Sequence, residues 1–176
     1  MQKDLIELLP LFSRLFMVGS MYVLVRSFAR WPYVYAMLCL PATMLHELSH
    51  LFVGVLVRAQ PVGFSLLPKR VPGSDRLMTG HVTFTNLTWW RGLPVATAPL
   101  FLLLPSGLWI VMASLSLTEM GEALAWSFCA LQCLMGCWPS PQDWRHAGRT
   151  LWVFMVIGIT AIAIWLWLAG PLPFLQ

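Results

Sequence analysis

His46, Glu47 and His50 stand as His-Glu-x-x-His inside Pro41-Ala42-Thr43-Met44-Leu45-His46-Glu47-Leu48-Ser49-His50. On a helix, positions four apart share a face, one turn above the other. The two imidazoles can therefore offer ring nitrogens to one metal ion. Glu47 sits beside them, close enough to take a proton from a water held by that metal. Zinc brings the pKa of such a water to about 7, so hydroxide becomes available at neutral pH. With four His and four Glu in 176 residues, chance yields this pattern about 0.002 times per chain. The competing reading is a packing pair, His46 bonded to Glu47 within a helix bundle.

A catalytic zinc takes three protein ligands and keeps one open position. The third ligand must come from elsewhere, and the candidates are His81, Asp143, His146, Glu119, Glu122 and Asp75. Asp75 belongs to a turn. Asp143 follows Cys137-Trp138-Pro139-Ser140-Pro141-Gln142, where two prolines break the helix before it. Broken backbone at membrane depth is tolerated where it is buried in protein or lines a wet cavity. Two readings of Asp143 stand side by side. It turns inward to a metal, or it pairs with Arg145 or Arg149 in a surface loop.

The elements that must carry these residues are membrane helices. The chain is 59% hydrophobic and 10% charged, and its mean hydropathy is +0.74. A water-soluble domain carries roughly 25% charge, so a bilayer must solvate most of this surface. The same numbers exclude a disordered chain, a coiled coil, collagen and a secreted disulfide scaffold. A net charge of +4, most of it in one loop, excludes nucleic acid as a partner. In that solvent an ionisable residue is costly and marks function, which weighs against the packing reading of His46, Glu47 and His50.

The expected fold is an all-α polytopic membrane protein in one domain, 1–176, with about five transmembrane helices. Apolar stretches at about 8–27, 31–57, 93–116, 120–139 and 150–169 supply the spans. The first is interrupted by Arg14 and, with no cleavage site after it, reads as retained rather than as a signal peptide. Lys3, Arg14, Arg58, Lys69, Arg70, Arg76, Arg91, Arg145 and Arg149 fall on one side, and Arg26 and Arg30 on the other. The positive-inside rule then places the N-terminus and the loops 58–92 and 140–149 in the cytoplasm. The loop 58–92 is expected at the membrane surface, between the second and third helices. It holds two β-prone stretches, 62–67 and 81–85, around a turn at Pro72-Gly73-Ser74-Asp75, and predicts a small β-hairpin.

The chain resembles the site-2 protease family of intramembrane zinc metalloproteases. Three features carry the resemblance, in the family's order, over about residues 31–145. They are His46-Glu47-x-x-His50 in a span, Ala98-Pro99-Leu100 in the next span in place of a Gly-Pro-Leu element, and the proline-rich break Pro139-Ser140-Pro141-Gln142-Asp143. The resemblance implies one zinc per chain on His46, His50 and Asp143, with Glu47 activating water. It also implies that the β-prone loop presents an extended substrate, with Thr83, Phe84 and Asn86 as substrate contacts. The departures are specific. The Asn of the family's Asn-x-x-Pro is missing before Pro139, Trp144 replaces the Gly after the Asp, and the only Asn is Asn86. The oxyanion-stabilising group is thereby left unassigned.

The expected activity is hydrolysis of the transmembrane segments of membrane-protein substrates. A catalytically inactive relative that binds transmembrane helices as a scaffold is the alternative, and intact Glu47 weighs against it. An ion path lined by the three residues is the third reading, and the absence of an inverted repeat weighs against that. Partners are the bilayer, the substrate helix and an unidentified regulatory membrane protein; the setting is a multi-pass protein of a bacterial inner membrane. Among the remaining polar residues, His81 reads as a surface histidine or a substrate contact, and His146 as an interfacial histidine or a support for a ligand. Thr43 and Cys39 share the face of the metal histidines and line the cavity. Cys129, Cys133 and Cys137 form a stripe of small residues that favours close helix packing.

Overall fold

Apolar runs in lipid have no water to satisfy their peptide groups, so they fold as helices that satisfy their own. In the computed structural model, which describes residues 2–66, 69–70, 77–78, 80–115 and 120–169, the chain is mostly helical with a small surface sheet. The helices are α1 (Gln2–Ser27), α2 (Pro32–Leu38), α3 (Leu40–Leu56), α4 (Trp89–Thr97), α5 (Leu103–Leu115), α6 (Met120–Gly136) and α7 (Pro141–Ala169). A 3₁₀ turn, Ala98–Leu102, joins α4 to α5 where Pro99 and its neighbours interrupt the α-helical pattern.

Three stretches are long and apolar enough to cross a bilayer: Leu9–Arg30, Trp89–Ser114 and Pro141–Trp165. A fourth exists if α2 and α3, bent by 59° at their junction, count as one broken span. The five expected spans are thus met only in part. At the place of the fourth expected span the described residues give α6, shorter than these three stretches. Its 17 residues reach about 25 Å at 1.5 Å per residue, short of a hydrocarbon core of about 30 Å. Prolines 139 and 141 end it early, and Ala130, Leu131, Gln132 and Cys133 are buried by protein rather than lipid.

This short helix is the centre of the packing. Val18 and Val25 of α1 close over Ala130 and Leu131, and Trp109 of α5 stacks on Trp126 at 4.8 Å. α3 packs on α6, on α4 and on the 3₁₀ turn. α7 packs on α4, where the Thr150 hydroxyl donates to the Trp89 carbonyl. The outward faces carry Trp152, Ile159 and Trp165, the surface expected of a protein solvated by acyl chains.

α7 corrects one expectation. Residues 140–149 were expected as a loop, yet the helix begins at Pro141. The reason is local chemistry. Proline is suited to the first helical position, and Ser140 before it is a good N-cap.

The surface sheet pairs β1 (Pro61–Ser65) antiparallel with β4 (His81–Phe84), and β2 (Lys69–Arg70) with β3 (Leu77–Met78). Ser65 faces His81 and Pro61 faces Phe84, with an irregularity between Pro61 and Gly63. The hairpin expected from sequence is therefore present in its arms, while its turn at 72–75 lies outside the described residues. Phe84 docks the sheet on α3, its ring lying where a Cβ on Gly54 would be. α3 itself ends in a paired C-cap. Ala59 N donates to Gly54 O at 2.7 Å and Arg58 N to Val55 O at 3.0 Å. This arrangement needs a left-handed residue, usually glycine, and Arg58 fills it at φ 57°.

Candidate metal centre

His46 and His50 lie one turn apart on α3 and meet the first turn of α7. His46 Nε2 is 3.1 Å from His50 Nε2. The Asp143 carboxylate reaches them at 3.5 Å (Oδ2 to His46) and 3.3 Å (Oδ1 to His50). One ligand atom from each of the three residues falls within 4.8 Å of the others.

The other ring nitrogens fix the tautomers. His46 Nδ1 lies 2.8 Å from the Gly136 carbonyl, and His50 Nδ1 lies 2.7 Å from the Val95 carbonyl. A carbonyl oxygen only accepts, so each Nδ1 carries a proton, and in the neutral imidazole each Nε2 then turns a lone pair inward. Two lone pairs and a carboxylate converging on one point repel one another unless positive charge lies between them. A tetrahedral ion with bonds of about 2.0–2.2 Å sets its ligand atoms about 3.3–3.6 Å apart. The two histidine nitrogens stand close to that spacing and each has one oxygen of the Asp143 carboxylate at a similar range, and the backbone carbonyls supply the outer support that metal-bound histidines use. The donor set therefore fits a small divalent cation.

Asp143 is itself held. Ser140 N donates to Asp143 Oδ2 at 2.6 Å, and Asp143 N donates to Ser140 Oγ at 3.2 Å. This is the reciprocal bonding of a helix N-terminal capping box. Of the two sequence readings of Asp143, the inward one matches the geometry, since its carboxylate faces the histidines.

Glu47 is buried beside them, within electrostatic reach of His46, His50 and Asp143. The backbone at Gly80, just before β4, lies over it. A Cβ on Gly80 would stand 2.8 Å from Glu47 Cγ and 3.0 Å from Thr43 Cγ2. All four residues border one cavity of about 1290 Å³ between α2, α3, the sheet and the start of α7.

Cys39, Thr43, Thr83, Phe84, His81 and His146 also line this cavity. Neither His81 nor His146 belongs to the ligand cluster found among the described residues. Gly80 and Phe84 face α3, so by strand alternation Thr83 points the other way and is exposed. Asn86 is used by its backbone, its N–H donating to Ala59 O and its carbonyl accepting from Arg91 Nη1, and it does not line the cavity. Glu122 is exposed on α6; Asp75 and Glu119 lie outside the described residues. Ala98 and Pro99 are buried in the 3₁₀ turn against α3. Cys129 and Cys133 are free thiols on α6, and Cys137, also free, follows its last residue.

Sequence reasoning missed the residues that support the ligands. Ser140 was legible, because Ser-x-x-Asp ahead of an apolar run is a capping signature. The carbonyls of Val95 and Gly136 carry no signal, since any residue has one.

Comparison with protein-family models, with curated proteins and with solved structures yields no match. The likeness to site-2 proteases thus rests on the motifs alone.

Proposed function

We propose that this protein is an intramembrane zinc endopeptidase of the site-2 protease type, cleaving transmembrane segments of membrane proteins. The observation that carries the reading is the convergence of His46 Nε2, His50 Nε2 and the Asp143 carboxylate beside a buried glutamate. Two imidazoles and one carboxylate with an open position form a donor set used by catalytic zinc. Bound zinc supplies Lewis acidity and an acidic water at neutral pH.

The chain's own residues do the rest. Glu47 takes the proton of the attacking water and returns it to the leaving amine. Ser140, Gly136 and Val95 hold the three ligands in register. A helical substrate hides its carbonyls in its own hydrogen bonds, so it must unwind before attack. Among the described residues β4 pairs with β1 alone, which leaves one edge to pair with an extended segment, and Thr83 and Phe84 lie along it. The basic residues favour a cytoplasmic N-terminus, and a bacterial inner membrane is the setting of this reading.

The test is zinc per chain in the wild type and in Asp143→Ala, purified in mild detergent. About one zinc per chain, lost in the variant, is the expected result. No zinc in either protein overturns the reading and favours a scaffold that binds transmembrane helices. Zinc retained in the variant transfers the third-ligand role to His81 or His146.

A further inference from the structure

The bend between α2 and α3 falls at Cys39, just ahead of the metal-binding turn. In an unbroken helix the Ala42 N–H would donate to the Leu38 carbonyl, four residues back. At this bend Gln132 of α6 takes both vacated roles. Its Oε1 accepts from Ala42 N at 3.1 Å, and its Nε2 donates to Leu38 O at 3.4 Å. A primary amide has an acceptor and donors on one short group, so it can splice a severed amide-to-carbonyl link. Gln132 is 3% exposed, and in a low-dielectric interior an unmade bond at either end would be costly.

Gly136 stands one turn further along the same face of α6. Its backbone lies against the Ala42 carbonyl, where a Cβ would approach the oxygen to 2.5 Å, and its own carbonyl takes His46 Nδ1. Ala42 is thus gripped at its N–H by Gln132 and at its carbonyl by Gly136. His46 follows Ala42 by one helical turn. The rotation of that turn about the axis of α3 sets where His46 Nε2 points.

We propose that Gln132 is a positioning residue for the metal centre. It replaces the hydrogen bond lost at the bend, fixes the rotation of the first turn of α3, and through it aims His46 at the ion. The inference rests on the reading of His46, His50 and Asp143 as metal ligands. It differs from simple helix glue, whose removal would lower stability and leave the ligand geometry of the folded protein unchanged.

The experiment titrates Co2+ into the full chain in mild detergent and reads affinity by chelator competition and geometry by the d–d absorption band. Gln132→Met keeps the length and removes both bonds. The folded variant, checked by gel filtration and thermal melting, is expected to bind Co2+ about 10–100-fold more weakly, with a shifted band. A folded variant with wild-type affinity and band overturns the proposal. If Gln132→Met does not fold, Gln132→Glu decides by the same two readouts, because a carboxylate keeps the acceptor for Ala42 and loses the donor for Leu38. A wild type that binds no Co2+ overturns the metal reading itself, and this inference with it.

Discussion

Ser140 and Asp143 bond each other in both directions, amide to carboxylate at 2.6 Å and amide to hydroxyl at 3.2 Å. The same carboxylate faces His46 and His50. A device that normally finishes a helix end here also turns a carboxylate toward two histidines. Ser140→Ala removes the hydroxyl from this exchange. It should cost about 1 kcal/mol of stability, as N-cap losses do, and weaken zinc binding about tenfold, as losses of outer support do. Zinc affinity measured by chelator competition checks this, and an unchanged value would mean that Asp143 needs no such support.

Glu47 is assigned the proton transfers and no share in holding metal. Glu47→Gln keeps the volume and removes the basicity. Zinc content should match the wild type, while hydrolysis of a transmembrane substrate in proteoliposomes should fall at least about 100-fold. A variant that still cuts at wild-type rate would remove Glu47 from the mechanism.

Gly136 and Gly107 make a paired test of close helix approach. A Cβ on Gly136 would meet the Ala42 carbonyl, whereas a Cβ on Gly107 would meet nothing within 4 Å. Gly136→Ala should destabilise the protein by about 1–3 kcal/mol through overpacking and weaken zinc binding by pushing α6 from α3. Gly107→Ala should leave both quantities near wild type. Thermal unfolding and zinc titration of both variants give the comparison, and equal behaviour would refute the contact.

Arg58 holds a left-handed conformation at φ 57° to close the C-terminus of α3. Its Cβ makes this conformation cost about 1–2 kcal/mol, and glycine escapes that cost. Arg58→Gly should therefore raise stability by about 1 kcal/mol with zinc affinity unaltered. A lower melting temperature would show that the Arg58 side chain contributes more than its backbone conformation costs.

Much of this was legible in the chain itself. His46 and His50 announce themselves because helical spacing is a local property, and α3 places them as the spacing requires. The arms of the β-hairpin followed from β-prone stretches on either side of Pro72 and Gly73. Other features depended on tertiary packing. Asp143 could be an ion pair or a ligand until the fold brought the first turn of α7 to the histidines of α3. The burial of α6 residues by protein was not legible, because hydropathy does not separate residues buried by protein from residues facing lipid. Gln132 looked like any polar residue in an apolar run, since its meaning comes from the bend at Cys39, far away in sequence. Hydropathy places a span only from about 150 and leaves 140–149 as a loop, although Ser140 and Pro141 together spell a helix start.

Helix α7 carries Asp143 in its first turn and runs for 29 residues, about 43 Å at 1.5 Å per residue. That exceeds a hydrocarbon core of about 30 Å, so the helix must tilt or project from it. Among the described elements its packing partner is α4, and most of its remaining length faces outward. Asp143 is in effect mounted on the short arm of a lever whose long arm floats in lipid. Packing against neighbours sets such a helix's angle, and here that packing is the seam with α4, where Thr150 meets the Trp89 carbonyl. The seam is thus the fulcrum of the arm, and it bears on how closely the carboxylate approaches the histidines.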